Sequence, residues 1–174
     1  MSYLVLAFPK LNTSDYNWIQ RFREKYDDRF FEIVEPHFTI VFPIYKIEKS
    51  DFINHVRKQI RDLKSIKFSI RCSTIVKDSF SDYTDVFLTP DEGNSGIIKL
   101  HDRLYTGILR PELRTDIPYI VHIAIGASRS AEVSKKLSDK INKQKFCIDG
   151  VINSLDIVWY DHPEVISLKK LILK

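Results

Sequence analysis

The sequence predicts an α+β protein of two packed lobes, with one order of elements repeated in each. Three observations predict it. Strand-like and helix-like stretches alternate along the 174 residues, with apolar periods of two and of about 3.6 respectively. The order strand, helix, histidine-bearing strand, helix, strand runs through residues 3–76 and again through residues 83–160. Two octapeptides of similar design, Pro36 to Pro43 and Tyr119 to Gly126, occupy the same place in the two runs. Phe68-Ser69-Ile70 and Phe146-Cys147-Ile148 also open matching strands. Identity between the halves is low, but the shared order argues for duplication. No Pro/Gly/Ser-rich linker parts them, so the expectation is one domain over 1–174 with lobes of roughly 1–80 and 81–174.

Taken in order, Tyr3 to Pro9 form a first strand, and Asn12, Thr13 and Ser14 offer N-cap chemistry for a helix striped by Trp18, Ile19, Phe22 and Tyr26. Residues 27–36 lead into the His37 strand. Ser50 is expected to cap a second helix striped by Phe52, Ile53, Val56, Ile60 and Leu63. Residues 66–76 alternate, with Phe68, Ile70, Cys72 and Thr74 on one face and Lys67, Ser69, Arg71 and Ser73 on the other, as in a half-buried strand. Residues 83–89 are another strand, closed by a turn from Pro90 to Asn94. A third helix carries Ile97, Leu100, Leu104 and Ile108 inward, and the His122 strand follows. A lysine-rich helix over 130–143 points Val133, Leu137 and Ile141 inward, with Glu132 and Lys140 suiting its dipole. Phe146 to Tyr160 and residues 165–173 are the closing strands.

An apolar fraction of 44% and a charged fraction of 29% belong to a globular chain, not a disordered one. The net charge of +4 suits an anionic ligand without pointing to nucleic acid by itself. The apolar N-terminal stretch has no positive region before it and reads as a strand, not a signal peptide. No run is long enough for a membrane helix. Cys72 and Cys147 have neither metal-ligand spacing nor a secretory signal, so reduced buried thiols and a cytoplasmic location are expected.

In the first octapeptide the period of two puts His37, Thr39 and Val41 on one face and Phe38, Ile40 and Phe42 on the other. In the second, His122, Ala124 and Gly126 share a face, opposite Ile123 and Ile125. Two His-x-Thr-like strands half a chain apart in a duplicated chain resemble the 2H phosphoesterase superfamily, within it the bacterial 2′-5′ RNA ligase-like group. The resemblance implies a bilobal fold of two antiparallel sheets with flanking helices, the two motifs facing each other across a central cleft. It implies hydrolysis or reverse ligation of 2′,3′-cyclic or 2′-5′ phosphodiesters of RNA ends or nucleotides without a metal; no cofactor and a monomer are the accompanying expectations. Carried over by position, His37 and His122 are the catalytic pair, and Thr39 is a phosphate ligand. Ala124 stands at the second phosphate position without its hydroxyl, and Val121 stands where the motif often has proline.

The chemistry explains the pattern. Opening a cyclic phosphodiester needs a base on water and an acid on the leaving oxygen, and an imidazole pKa near 6.5 serves both roles near neutrality. A threonine two residues along supplies a fixed donor to the phosphoryl oxygens. The alanine leaves three outcomes. Ser128, Arg129, a tyrosine or a backbone N–H replaces the hydroxyl; or the enzyme is slow; or the cleft binds nucleotides or RNA ends without turnover.

Each of these residues also has a plainer reading. A lone histidine on a strand is usually structural, and only the matched pair favours function. Thr39 alone is an ordinary β-former. His101 sits in an apolar helix stripe as a core histidine, and His55 and His162 are assigned no chemistry. Lys135, Lys136, Lys140, Lys143 and Lys145 form a solvated helix face. Tyr45, Tyr119 and Tyr160 are candidates for base stacking and equally for ordinary strand aromatics.

Overall fold

The chain threads two antiparallel sheets, seen here in a computed structural model that describes residues 2–174. The strands are β1 (Ser2–Ala7), β2 (Lys10–Leu11), β3 (Phe38–Ile44), β4 (Ile66–Lys77), β5 (Thr84–Glu92), β6 (Ile123–Ser128), β7 (Ile148–Ile152), β8 (Ser154–Asp161) and β9 (Glu164–Ile172). The helices are α1 (Thr13–Tyr26), α2 (Lys49–Ile60), α3 (Asn94–Leu104) and α4 (Ala131–Asn142). The first sheet has the order β3-β1-β8-β9 and the second β2-β7-β4-β5-β6. The expected α+β class and two-sheet architecture are what the chain adopts.

The two sheets share one arrangement of strands, with an exchange. In each, a histidine strand (β3 or β6) lies at the edge, beside the opening strand of its own half (β1 or β5). The third position is filled from the other half: β8 completes the first sheet and β4 the second. Residues 146–160, read as one strand, are therefore two. The chain leaves the second sheet after Ile152 and enters the first at Ser154.

Several faces differ from the simple alternation, and bulges are the cause. Ile70 pairs with Pro90 but Cys72 pairs with Thr89, so Arg71 is an extra residue that inverts the faces beyond it. Phe68 and Ile70 are buried as expected, whereas Cys72 and Thr74 turn outward and Ser73 turns in. Both cysteines are free and exposed, not buried. In β3, Leu6 faces Thr39 but Val5 faces Val41, so the alternation slips after Ile40. Val41 is fully buried in the core, and Phe42 takes the cavity side instead.

Helix faces and ends differ too. α4 buries Ser134, Ser138 and Ile141, while Val133 is outward. Serines suit a helix that approaches a sheet closely: Ser134 Oγ donates to the Thr84 carbonyl at 2.7 Å, and the Ser73 and Ser138 hydroxyls bond at 2.8 Å. Ile108 is exposed because the helix ends at Leu104, and Leu109 fills the core in a 3-10 turn. α2 starts at Lys49 with Glu48 as N-cap, ahead of Ser50. β5 runs on through Pro90 to Glu92, and Gly93, at φ 80°, makes the turn into α3.

Candidate active site

The sheets are edged by β3 and β6, and the residue just before each strand is a histidine. Both rings line one cavity of about 340 Å³, walled by the two sheets and by the segment between α1 and β3. That segment is set by Arg23, which is 2% exposed. Its guanidinium donates to Asp27 at 3.1 Å and to the carbonyls of Phe30 at 3.0 Å and Val34 at 2.8 Å. The loop leading to His37 is thus wound around one buried cation. The helix pattern held the signal: Arg23 lies four residues after buried Ile19 and four before Asp27.

The two imidazoles are held alike. His37 Nδ1–H donates to the Glu35 carbonyl at 2.7 Å, and His122 Nδ1–H donates to the Ile120 carbonyl at 2.7 Å. A carbonyl only accepts, so the proton is on Nδ1 in each ring and Nε2 is left free for exchange. His122 lies flat on Phe87, with centroids 3.5 Å apart and planes at 9°. Phe8 meets His37 edge-on at 5.9 Å. Burial pushes both histidines down to about 4, and the Arg23 charge lowers His37 while the His37 charge lowers His122. Both rings are neutral in the free protein at neutral pH.

Thr39 and Ala124 also line the cavity, each two residues beyond its histidine. The four motif positions are brought together. Of the proposed substitutes for the missing hydroxyl, Ser128 accepts the Ser130 N–H, and Arg129 is exposed over Tyr83 beside Asp82; neither lines the cavity. Tyr160 does line it. Tyr119 instead stacks on His101 at 3.7 Å and donates its hydroxyl to the Thr39 carbonyl at 3.0 Å, bracing β3 from behind. Tyr45 is on the open surface. His101 is buried as a core histidine, and His55 is buried too, its Nε2–H donating to the Leu104 carbonyl at 2.9 Å.

Arg29 was not picked out by the sequence pattern, yet it stands on the cavity wall. It pairs with Asp78 at 3.0 Å and Asp85 at 3.4 Å and lies over the rings of Phe30 and Tyr83. Asp85 and Phe87 share the cavity face of β5, and their partners on β6 are Ala127 and Ala124. Arg29 is therefore anchored one step along the sheet from the position that lacks a hydroxyl. Burial pushes Asp85 up to about 6 against the attraction of Arg29.

Two antiparallel sheets, each edged by a strand that a histidine leads into, thus turn both imidazoles onto one cavity. A sequence profile of the 2′-5′ RNA ligase superfamily matches residues 11–164. The chain belongs to that superfamily. It is 24% identical over 169 residues to a Bacillus licheniformis protein with a provisional phosphoesterase name, covering 96% of this chain and 86% of that one. Two solved structures share the fold. TT0787 of Thermus thermophilus superposes with a TM-score of 0.64 at 13% identity, covering 99% of this chain and 98% of that one. LigT of E. coli, in complex with 3′-AMP, has a TM-score of 0.61 at 13% identity, with the same coverage of 99% and 98%. Membership and the relative's name support phosphoesterase activity for this chain.

Proposed function

We propose that the protein hydrolyses 2′,3′-cyclic or 2′-5′ phosphodiesters of nucleotides or RNA, with His37 and His122 as general base and general acid and no metal required. The observation that carries this reading is the matched Nδ1–H bond of the two rings, which leaves two Nε2 atoms for one cavity. One neutral Nε2 takes a proton from water as its oxygen bonds to phosphorus. The other, protonated once the anionic substrate is bound, gives its proton to the departing ribose oxygen as the P–O bond breaks. Thr39 Oγ1 donates to a phosphoryl oxygen, and Arg29 stands in for the hydroxyl that Ala124 lacks. The 3′-AMP bound to LigT supports a nucleotide ligand for this fold.

The test is turnover of nucleoside 2′,3′-cyclic phosphates in EDTA. Wild type is expected to turn over, with His37→Ala and His122→Ala each losing about 100- to 10,000-fold. Arg29→Gln should lose about 100- to 1000-fold, the usual cost of one donor to a developing oxyanion. Adding Ala124→Thr to Arg29→Gln should restore part of the rate; no restoration would leave Arg29 a purely structural ion-pair residue. Ala124 itself favours a second reading, a nucleotide-binding cleft without turnover. Saturable binding of a cyclic phosphate with no hydrolysis would establish that reading instead.

A further inference from the structure

We infer that the cavity takes a small phosphodiester bearing a single negative charge and one uncharged apolar arm, and not the end of an RNA strand. This rests on the phosphoesterase reading and names its substrate class. The first ground is charge. Besides the histidines, the charged groups on the wall are Arg23, Arg29, Asp27, Asp78 and Asp85. Arg23 is committed to Asp27, and Arg29 to both Asp78 and Asp85. Two guanidiniums against three carboxylates leave only Arg29, already shared, and the proton that a histidine takes up with the substrate, which answer one phosphodiester charge and not a run of phosphates. Beside the wall residue Phe80, Arg114 lies over its ring and is itself paired with Asp116 at 2.6 Å.

The second ground is the opposite wall. Leu4, Leu6, Val158 and Val165 of the first sheet present an aliphatic surface, and Phe80 stands 71% exposed at the mouth. Such a surface suits a flat or apolar arm, and Thr39 and Tyr160 are the polar side chains this sheet adds to it, enough for one phosphate and its attached group but not for a run of ribose-phosphate. The third ground is where the lysines are. α4 packs on the Thr84 and Ser73 side of the second sheet, whereas Asp85 and Phe87, alternating with Thr84, face the cavity. The basic helix is behind the sheet, out of reach of a strand entering the cavity.

The experiment compares kcat/KM for cytidine 2′,3′-cyclic phosphate, methyl p-nitrophenyl phosphate and a decaribonucleotide ending in a 2′,3′-cyclic phosphate, at about 50 and about 200 mM salt. A site that neutralises one phosphate loses only about threefold between these salts, and one that tracks four loses roughly fiftyfold. The small substrates are expected to match or exceed the decamer, each with the shallow salt loss. Which of the two is preferred identifies the arm as a nucleobase or as any aryl group. A decamer favoured tenfold or more with a steep salt loss would overturn the inference. If none of the three turns over, the catalytic reading fails separately. Equilibrium binding of cytidine 2′,3′-cyclic phosphate against the decamer ending in a 2′,3′-cyclic phosphate then decides the substrate class, by the same preference and salt criteria.

Discussion

His37 and His122 are tied to their own backbones in the same way, and that shared bond does more than aim the rings. With Nδ1–H on a carbonyl, each ring is fixed as the tautomer whose Nε2 can accept or donate at the cavity. Burial then lowers both to about 4 from an ordinary value near 6.5. Between those values the unfolded chain binds protons that the folded protein refuses, so these two groups make stability fall as pH drops from about 6.5 to about 4. Denaturant midpoints at pH 7 and pH 5 should differ more for wild type than for a His37→Gln/His122→Gln double variant. A neutral pair also lacks the proton that the proposed acid role needs. Binding of a nucleoside monophosphate at pH 6 should therefore take up a proton, read by calorimetry in buffers of different ionisation enthalpy. No uptake would remove the acid role from both rings. His37, Thr39, His122 and Ala124 were legible because a two-residue period and a half-chain repeat are written in the sequence. Arg29 was not, because its place depends on Asp78 and Asp85, some fifty residues away.

At the scale of the elements, most strands and helices were legible, and the failures have a common physical form. A bulge adds one residue, and one residue inverts a strand. Periodicity before Arg71 predicted the right face, and after it the wrong one, which is how Cys72 came out exposed and Ser73 buried. In α4 the inward face is written in serines, so a search for apolar stripes chose Val133. The join of β5 to α3 shows how tight such connections are. Gly93 has φ 80°, and a Cβ there would stand 2.3 Å from the Lys67 carbonyl oxygen and 2.8 Å from Phe68 Cβ. The left-handed backbone alone costs an alanine about 1–2 kcal/mol, and the backbone oxygen of β4 cannot swing aside as a side chain would. Gly93→Ala should lower stability by at least that amount in urea unfolding. A loss under about 0.5 kcal/mol would mean that residue 93 leaves the left-handed region in the variant and that the turn into α3 is not held as tightly as this geometry requires.

For the whole molecule, the exchange of strands governs how the protein comes apart. The first sheet needs β8 and β9 from the second half of the chain, and the second sheet needs β2 and β4 from the first. Neither half can complete a sheet by itself, and the buried side chains of both sheets form one continuous cluster. The cavity depends on the same exchange, since its walls carry β1 and β3 together with β5, β6, β8 and β9. Duplication predicted the matching elements, but not the crossing between sheets, because no local pattern records which partner a strand chooses. The two tryptophans test the consequence. Trp18 on α1 packs on Phe22 and Phe146, and α1 lies against β6, where Tyr26 meets Gly126. Trp159 lies in β8, paired with Tyr3 and Ile166 in the first sheet. Each tryptophan therefore reports a different sheet. Unfolding followed by fluorescence in Trp18→Phe and Trp159→Phe, each normalised to its own far-ultraviolet dichroism, should show the two signals coinciding in every case. A Trp159 signal lost at lower denaturant than the dichroism would show that the first sheet opens while the second stands, and that the sheets are held together less firmly than the shared strands require.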